Sequence, residues 1–440
     1  MDRRAFVGGI VAAGAMPLWA STRARGPEAA FRVDGARIND QLVRLAEFGK
    51  SPTGTRRMAY TDADRQGREY ILRLMQDAGL EVRIDTAGNI LGRREGTEAG
   101  APAILFGSHI DSVPNGGNYD GDVGVLSSIE AVRTLVSRNA RTRHPLEVVV
   151  FQNEEGGLVG SKLMAGGLSD NDLNRVANSG KTLREGIGFL GGDVARLDEA
   201  RRSPDQTLCY LELHIEQGGT LETLGNTIGV VEGIVSLREF EVTVDGFANH
   251  AGTTPMDHRQ DAMLAAAQFA VEMNRMVRAM PGRQVATVGR MAAQPGAPNV
   301  VPGRVVFSID YRDLAVATLD RLEERFREIA RKIEQDTGTR FSFDKSNTSA
   351  PALMSDELRT MIASSAAGLG LTTHSLPSGA GHDAQQMAKI TPTAMIFIPS
   401  RGGISHSPNE YTSPDDVVHG ANTLLQTVLL VDQNGMTRQS

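Results

Sequence analysis

The 440-residue sequence is short of several residue types, and each shortage closes off a class of function. Cys209 is the single cysteine, so no disulfide can form within the chain and no thiolate metal cluster can be built. It lies inside the apolar, strand-like run LCYLEL, which reads as a buried structural thiol and not as a nucleophile. Aromatic residues make up 5% of the chain, and no basic stripe is interleaved with them. Against 53 acidic residues stand 46 basic ones, a net charge of −7, which excludes nucleic acid as a partner because phosphate recognition needs concentrated positive charge.

Long hydrophobic runs are scarce too. The nearest approach is N-terminal, MDRRAFVGGIVAAGAMPLWA, where Arg3 and Arg4 precede a glycine- and alanine-rich apolar stretch ending at Ala20. About 15 such residues at ~1.5 Å each cover roughly 22 Å of a hydrocarbon core of about 30 Å, so the stretch reads as a cleavable twin-arginine export signal and gives no stable membrane anchor. Residues 1–25 are therefore set aside from the fold, and the mature protein is expected in the periplasm or outside the cell.

What is present suits an ordinary soluble globular protein. With 40% hydrophobic and 22% charged residues over this length, about two or three domains are expected. After a first helix over INDQLVRLAEFG and a second opening at Thr61 and closing at Gly79, short apolar runs such as AILF and VVVF alternate with helix patterns. That alternation predicts an α/β fold with a mainly parallel sheet and helices on both faces, whose chemistry sits at the carboxyl ends of the strands.

Polar motifs fall at those ends. AILF runs into FGSHIDSVPNGGNYDGDVG (residues 106–124), which brings His109, Asp111 and Asp120 around a glycine-rich turn. Imidazole and carboxylate are good ligands for divalent metals, and the glycines let a loop fold around an ion. VVVF leads to QNEEGG with Glu154 and Glu155, where one carboxylate can bind metal while the other stays free as a base. ELHIEQG carries His214 and Gln217, and the strand TAMIFIP leads to GGISHSPNE with His406. A single histidine in such a loop is an ordinary surface residue. Four polar loops, each following a predicted strand, point to a metal site.

These motifs, with NHAGTTPM, PGAPNVVPG and SGAGHDAQ, stand in the order and rough spacing of the hydantoinase/carbamoylase-type metal-dependent amidases, which this chain resembles over nearly its whole mature length. The group includes N-carbamoyl-L-amino acid hydrolases, allantoate amidohydrolases and beta-ureidopropionases, and is related to aminoacylases and zinc exopeptidases. The resemblance implies a catalytic α/β domain interrupted by a smaller α/β lid that also forms a homodimer. The strand, helix, strand, strand, helix, strand pattern after ELHIEQG independently predicts a ferredoxin-like insert. Catalytic parts are placed at 31–233 and 348–440, with the lid at 234–347.

Carried over residue by residue, the resemblance implies two divalent metal ions, zinc first, with manganese or cobalt admitted by the same donors. His109, Asp120 and His214 would hold one ion, and Asp120, Glu155 and His406 the other. Glu154 would be the general base, Asp111 would support His109, and His250 of the lid would stabilise the oxyanion in the partner's site. Arg238, Asn299, Arg312 and Gln217 would bind a small substrate carrying a carboxylate. A cis peptide between Asp120 and Gly121 is also implied. Two departures from the common pattern, Ser236-Leu237 and Gly157-Leu158, leave the ligand set intact and bear on the substrate. The expected reaction is hydrolysis of a C–N bond in an N-carbamoyl or N-acyl amino acid. Alternatives are a zinc dipeptidase or aminoacylase and, in another class, a catalytically dead binding protein, against which the complete ligand set argues.

Overall fold

The computed structural model describes residues 31–436, so the expected export signal lies outside the described residues. The first two helices begin where capping chemistry predicts. Asp34 accepts the Arg37 N–H ahead of Gly35–Leu45, and Thr61 accepts the Asp64 N–H ahead of Asp62–Asp77. Ile38, Leu42 and Leu45 form the buried stripe of the first helix.

A nine-stranded sheet is built around four parallel strands, in the spatial order Leu146–Phe151, Ala103–His109, Thr207–Ile215 and Thr393–Ile398. Antiparallel strands flank this centre: Ile90–Arg94 and Glu81–Ile84 on one side, Ile228–Ile234 on the other. Thr373–Ser378 and Ala352–Leu353 complete the sheet against Ile228–Ile234. Every residue of Ala103–His109 and of Leu146–Phe151 is buried, so both faces of the sheet are covered, and these strands read as continuous apolar runs. Between Leu146–Phe151 and Thr207–Ile215 the chain wraps a small apolar cluster around Leu163, Leu173, Leu183 and Ile187.

The second large sheet spans residues 236–348. Its four antiparallel strands lie in the order Val285–Gln294, Arg304–Asp313, Ser236–Asp245, Arg340–Thr348, with helices Ala262–Ala279 and Val316–Thr337 packed against it. This is the expected ferredoxin-like arrangement. Phe240, Val242, Phe269, Phe307 and Phe326 give it a core separate from that of the nine-stranded sheet. Along Ser236–Asp245 the residues of even number, Phe240, Val242 and Val244, enter that core, as the two-residue period of a strand requires.

Candidate metal centre

The four parallel strands bring their carboxyl ends to one place. His109 closes Ala103–His109, His214 is the penultimate residue of Thr207–Ile215, Glu154 and Glu155 follow Leu146–Phe151, and His406 lies in the loop after Thr393–Ile398. Asp120 arrives from the loop that feeds helix Asp122–Ser137. The turn into that helix is made by Gly121 at φ +68°, and a Cβ there would lie 2.6 Å from the His109 ring, so only glycine fits. The Asp120–Gly121 peptide is trans, which corrects the expected cis bond. The cis bond among the described residues is Gln294–Pro295.

Asp120 stands between three imidazoles. Its Oδ1 lies 3.4 Å from His109 Nε2 and 3.1 Å from His214 Nε2, while its Oδ2 lies 3.5 Å from His406 Nε2. Burial alone would push the Asp120 carboxyl up, but His214, His109 and His406 hold it well below the usual carboxylate range. The rings of His109 and His214 are oriented from behind: His109 Nδ1 lies 3.0 Å from the Asp111 carbonyl and His214 Nδ1 lies 2.9 Å from the Ile215 carbonyl. Each Nδ1 is thus a donor, so that with a metal ion bound each Nε2 lone pair would be the ligand.

Two groups of donors result, His109/Asp120/His214 and Asp120/Glu155/His406, each with its ligand atoms within 4.8 Å of one another. His109 Nε2 is buried without a hydrogen-bond partner, as a metal-facing nitrogen should be. The donor chemistry therefore fits divalent cations. A third cluster, Glu212/His214/His382, is equally compact. Its atoms are already engaged: Glu212 accepts from Ser108 Oγ and the Ala384 N–H, and His382 Nε2 meets Ser378 Oγ at 2.9 Å.

The paired glutamates divide as their neighbours dictate. Glu155 Oε2 lies 3.4 Å from His406 Nε2. Glu154, buried and outside both donor groups, has Oε2 3.8 Å from His109 Nε2. Burial pushes the Glu154 carboxyl well above its ordinary value, with Glu155 and Asp383 adding to the effect, and burial with Asp120 nearby raises Glu155 to about 7. Asp111 acts differently from expectation. Its carboxylate accepts the Glu154 N–H at 3.0 Å and the Glu155 N–H at 3.2 Å, and stands 3.8 Å from His109 Nδ1. The Asp111 backbone supports His109, and its side chain fixes the glutamate turn.

Residues 105–430 match the peptidase family M20/M25/M40. The N-carbamoyl-L-amino acid amidohydrolase of Geobacillus stearothermophilus is 40% identical over 402 residues, 90% of this chain and 98% of that protein. The allantoate amidohydrolase of Bacillus subtilis is 35% identical over 394 residues, 88% and 95% of the two chains. A crystal structure of a hydantoinase/carbamoylase family amidase from Burkholderia multivorans superposes with a TM-score of 0.85 at 36% identity, covering 92% of this chain and all of that one. The chain belongs to the M20/M25/M40 family. Within it the resemblance to the hydantoinase/carbamoylase-type amidases holds, and the protein is a hydrolase acting on C–N bonds.

The residues that the family resemblance implies for substrate binding are spread more widely than the donor groups around Asp120. Gln217, in the left-handed region at φ +56°, donates to Asp120 Oδ2 at 2.6 Å. Arg312 lies on the sheet face away from the helices, chelates Asp310 at 2.7 and 2.8 Å, and donates to the Gly379 carbonyl at 2.7 Å. Asn299 and His250 are exposed neighbours, joined through the ribbon of Asn249–His250 with Val300–Val301 and the Ala251 N–H to Asn299 carbonyl bond. His250 is not a member of the clusters around Asp120. Arg238 is corrected: it shares the core-facing side of its strand with Phe240 and pairs with Asp320 at 2.7 Å and Glu323 at 3.8 Å, which ties it to helix Val316–Thr337. Sequence reasoning missed Glu410. Its Oε1 accepts the Tyr119 and Asp120 N–H groups at 3.0 and 3.1 Å, and its place in SHSPNE was the available signal.

Proposed function

We propose that the protein hydrolyses the C–N bond of a small N-carbamoyl amino acid with two divalent ions, zinc first, held by His109, Asp120 and His214 on one side and Asp120, Glu155 and His406 on the other. One observation carries this reading: the two oxygens of Asp120 face different donor groups, while Glu154 belongs to neither. Such ions, when bound, supply Lewis acidity to a carbonyl and to water. Glu154 takes the proton of the attacking water and delivers it to the leaving nitrogen, a task that suits a buried carboxyl whose affinity for protons is raised. N-carbamoyl-L-amino acids and allantoate, named for the relatives, both present a ureido C–N bond near a carboxylate.

Arg312 and Asn299 bind that carboxylate, and residues 236–348 act as a lid and dimerisation unit. His250 Nδ1 accepts the Gly252 and Thr253 N–H groups at 3.0 and 3.1 Å, so the neutral ring carries its proton on Nε2, as a donor to developing negative charge must. We assign that donor to the partner subunit's site in a homodimer, and the protein to the periplasm or exterior. The test is metal analysis with a turnover screen over N-carbamoyl, N-acetyl and dipeptide substrates. Two metals per chain with carbamoyl turnover support the reading. Turnover confined to dipeptides or N-acetyl amino acids overturns it.

A further inference from the structure

The second glycine after the paired glutamates, Gly157, lies against an arginine from elsewhere in the chain. A Cβ at Gly157, which sits at φ +116°, would lie 3.0 Å from Arg175 Nη2 and 3.4 Å from its Nη1. Arg175 belongs to the segment wrapped around the Leu173 and Leu183 cluster, and its Nη2 donates to the Gly156 carbonyl at 2.9 Å. Gly156 adjoins Glu155, and consecutive Cα atoms are ~3.8 Å apart. The guanidinium therefore sits against the backbone of the residue that follows Glu155.

This arginine is exposed and forms no ion pair within 4 Å among the described residues. Asp172 feels its charge, but that carboxylate is held by the Ser169 N–H at 2.9 Å and hydroxyl at 2.6 Å. Lys162 and Lys389 add to the positive charge: burial, Arg175 and Lys389 together hold the half-buried Lys162 ammonium below its ordinary range. With Nη2 on the Gly156 carbonyl, a guanidinium that lacks an ion pair keeps its remaining donors for a carboxylate.

A line of contacts links Arg175 to Arg312. Leu158 Cδ1 lies 4.0 Å from where a Cβ on Gly381 would be, and the nearby Gly379 carbonyl accepts from Arg312 Nη1. Gly157, Leu158, Gly381 and Gly379 thus lie between the two arginines, of which Arg312 is chelated by Asp310 and Arg175 is not. If Arg312 takes the α-carboxylate, Arg175 faces the far end of the substrate.

We propose that Arg175 is a specificity-determining residue that recognises a second acidic group, the side-chain carboxylate of an N-carbamoyl dicarboxylic amino acid. The inference rests on the carbamoyl-hydrolase reading and narrows it. The holoenzyme is assayed with N-carbamoyl-L-glutamate and N-carbamoyl-L-glutamine, which differ in charge and hardly in shape. The wild type should prefer the glutamate derivative in kcat/KM by about tenfold, the scale of one charge-assisted hydrogen-bonded pair. Arg175→Gln, which can still donate to the Gly156 carbonyl, should bring the ratio to about one while glutamine-derivative turnover stays within about twofold, and Arg175→Lys should retain part of the preference. Turnover of both substrates without a preference, a preference that survives Arg175→Gln, or an equal fall on both would each overturn the inference and leave the reaction as read. Turnover of neither, with metal bound, would overturn the reaction itself and this inference with it.

Discussion

Asp111→Asn separates two accounts of the same residue. If its carboxylate serves His109, the variant should lose the ion held by His109, Asp120 and His214. The geometry says otherwise, because both carboxylate oxygens accept N–H groups of the glutamate turn, at 3.0 and 3.2 Å, in a buried site. An asparagine offers one acceptor and one amide donor, so one N–H would face another N–H. The loss is one hydrogen bond to a charged acceptor, about 1.5–3 kcal/mol, and a buried donor is left unpaired. The turn relieves this by shifting, and a displacement of about 1 Å at a reacting group costs on the order of 10² in rate. The expected outcome is a fall of about 10² in kcat, with the ion at His109, Asp120 and His214 retained, read by steady-state kinetics and elemental analysis of one preparation. Wild-type kcat, or loss of that ion in step with activity, would refute the reasoning.

Glu154→Gln should lower turnover by roughly 10² or more while both ions remain, whereas Glu155→Gln should also lose metal, measured by equilibrium dialysis. Gly121→Ala should cost about 1–2 kcal/mol for its left-handed backbone and push the His109 ring aside, so that metal content drops before the fold does, as circular dichroism would show. Arg238→Ala should lower thermal stability through its lost pairing with Asp320 and Glu323 and leave KM within about twofold, since its guanidinium faces a helix. Mixed dimers of inactive His250→Ala and inactive Glu154→Gln subunits should recover up to about a quarter of wild-type sites, because one of the two sites in a heterodimer carries neither defect. Verified heterodimers without activity would place His250 in its own subunit's site.

The cluster around Asp120 is legible because a doubly buried parallel strand writes itself as an apolar run, and the polar residues that follow it mark the carboxyl edge of the sheet. His109 and Glu154 lie three residues past such runs, and the roles given to them come from the resemblance. Asp111 does support His109, through its carbonyl, but the second task of its carboxylate is hidden because the sequence shows only the neighbour two positions back. The turn it serves lies 43 positions on, brought alongside by the pairing of His109 with Phe151. Arg238 was readable and was passed over. In SLREFEVTVD it shares the parity of Phe240, Val242 and Val244, all of which enter a core, so counting by two assigns it to the helix-covered face where an arginine must find acids. The same count places Arg312 with Ser308 and Asp310, opposite the core residues Phe307, Ile309 and Tyr311. Of the two arginines assigned to the carboxylate, strand parity puts Arg312 on the face away from the helices, where Asp310 and the Gly379 carbonyl hold its guanidinium in place.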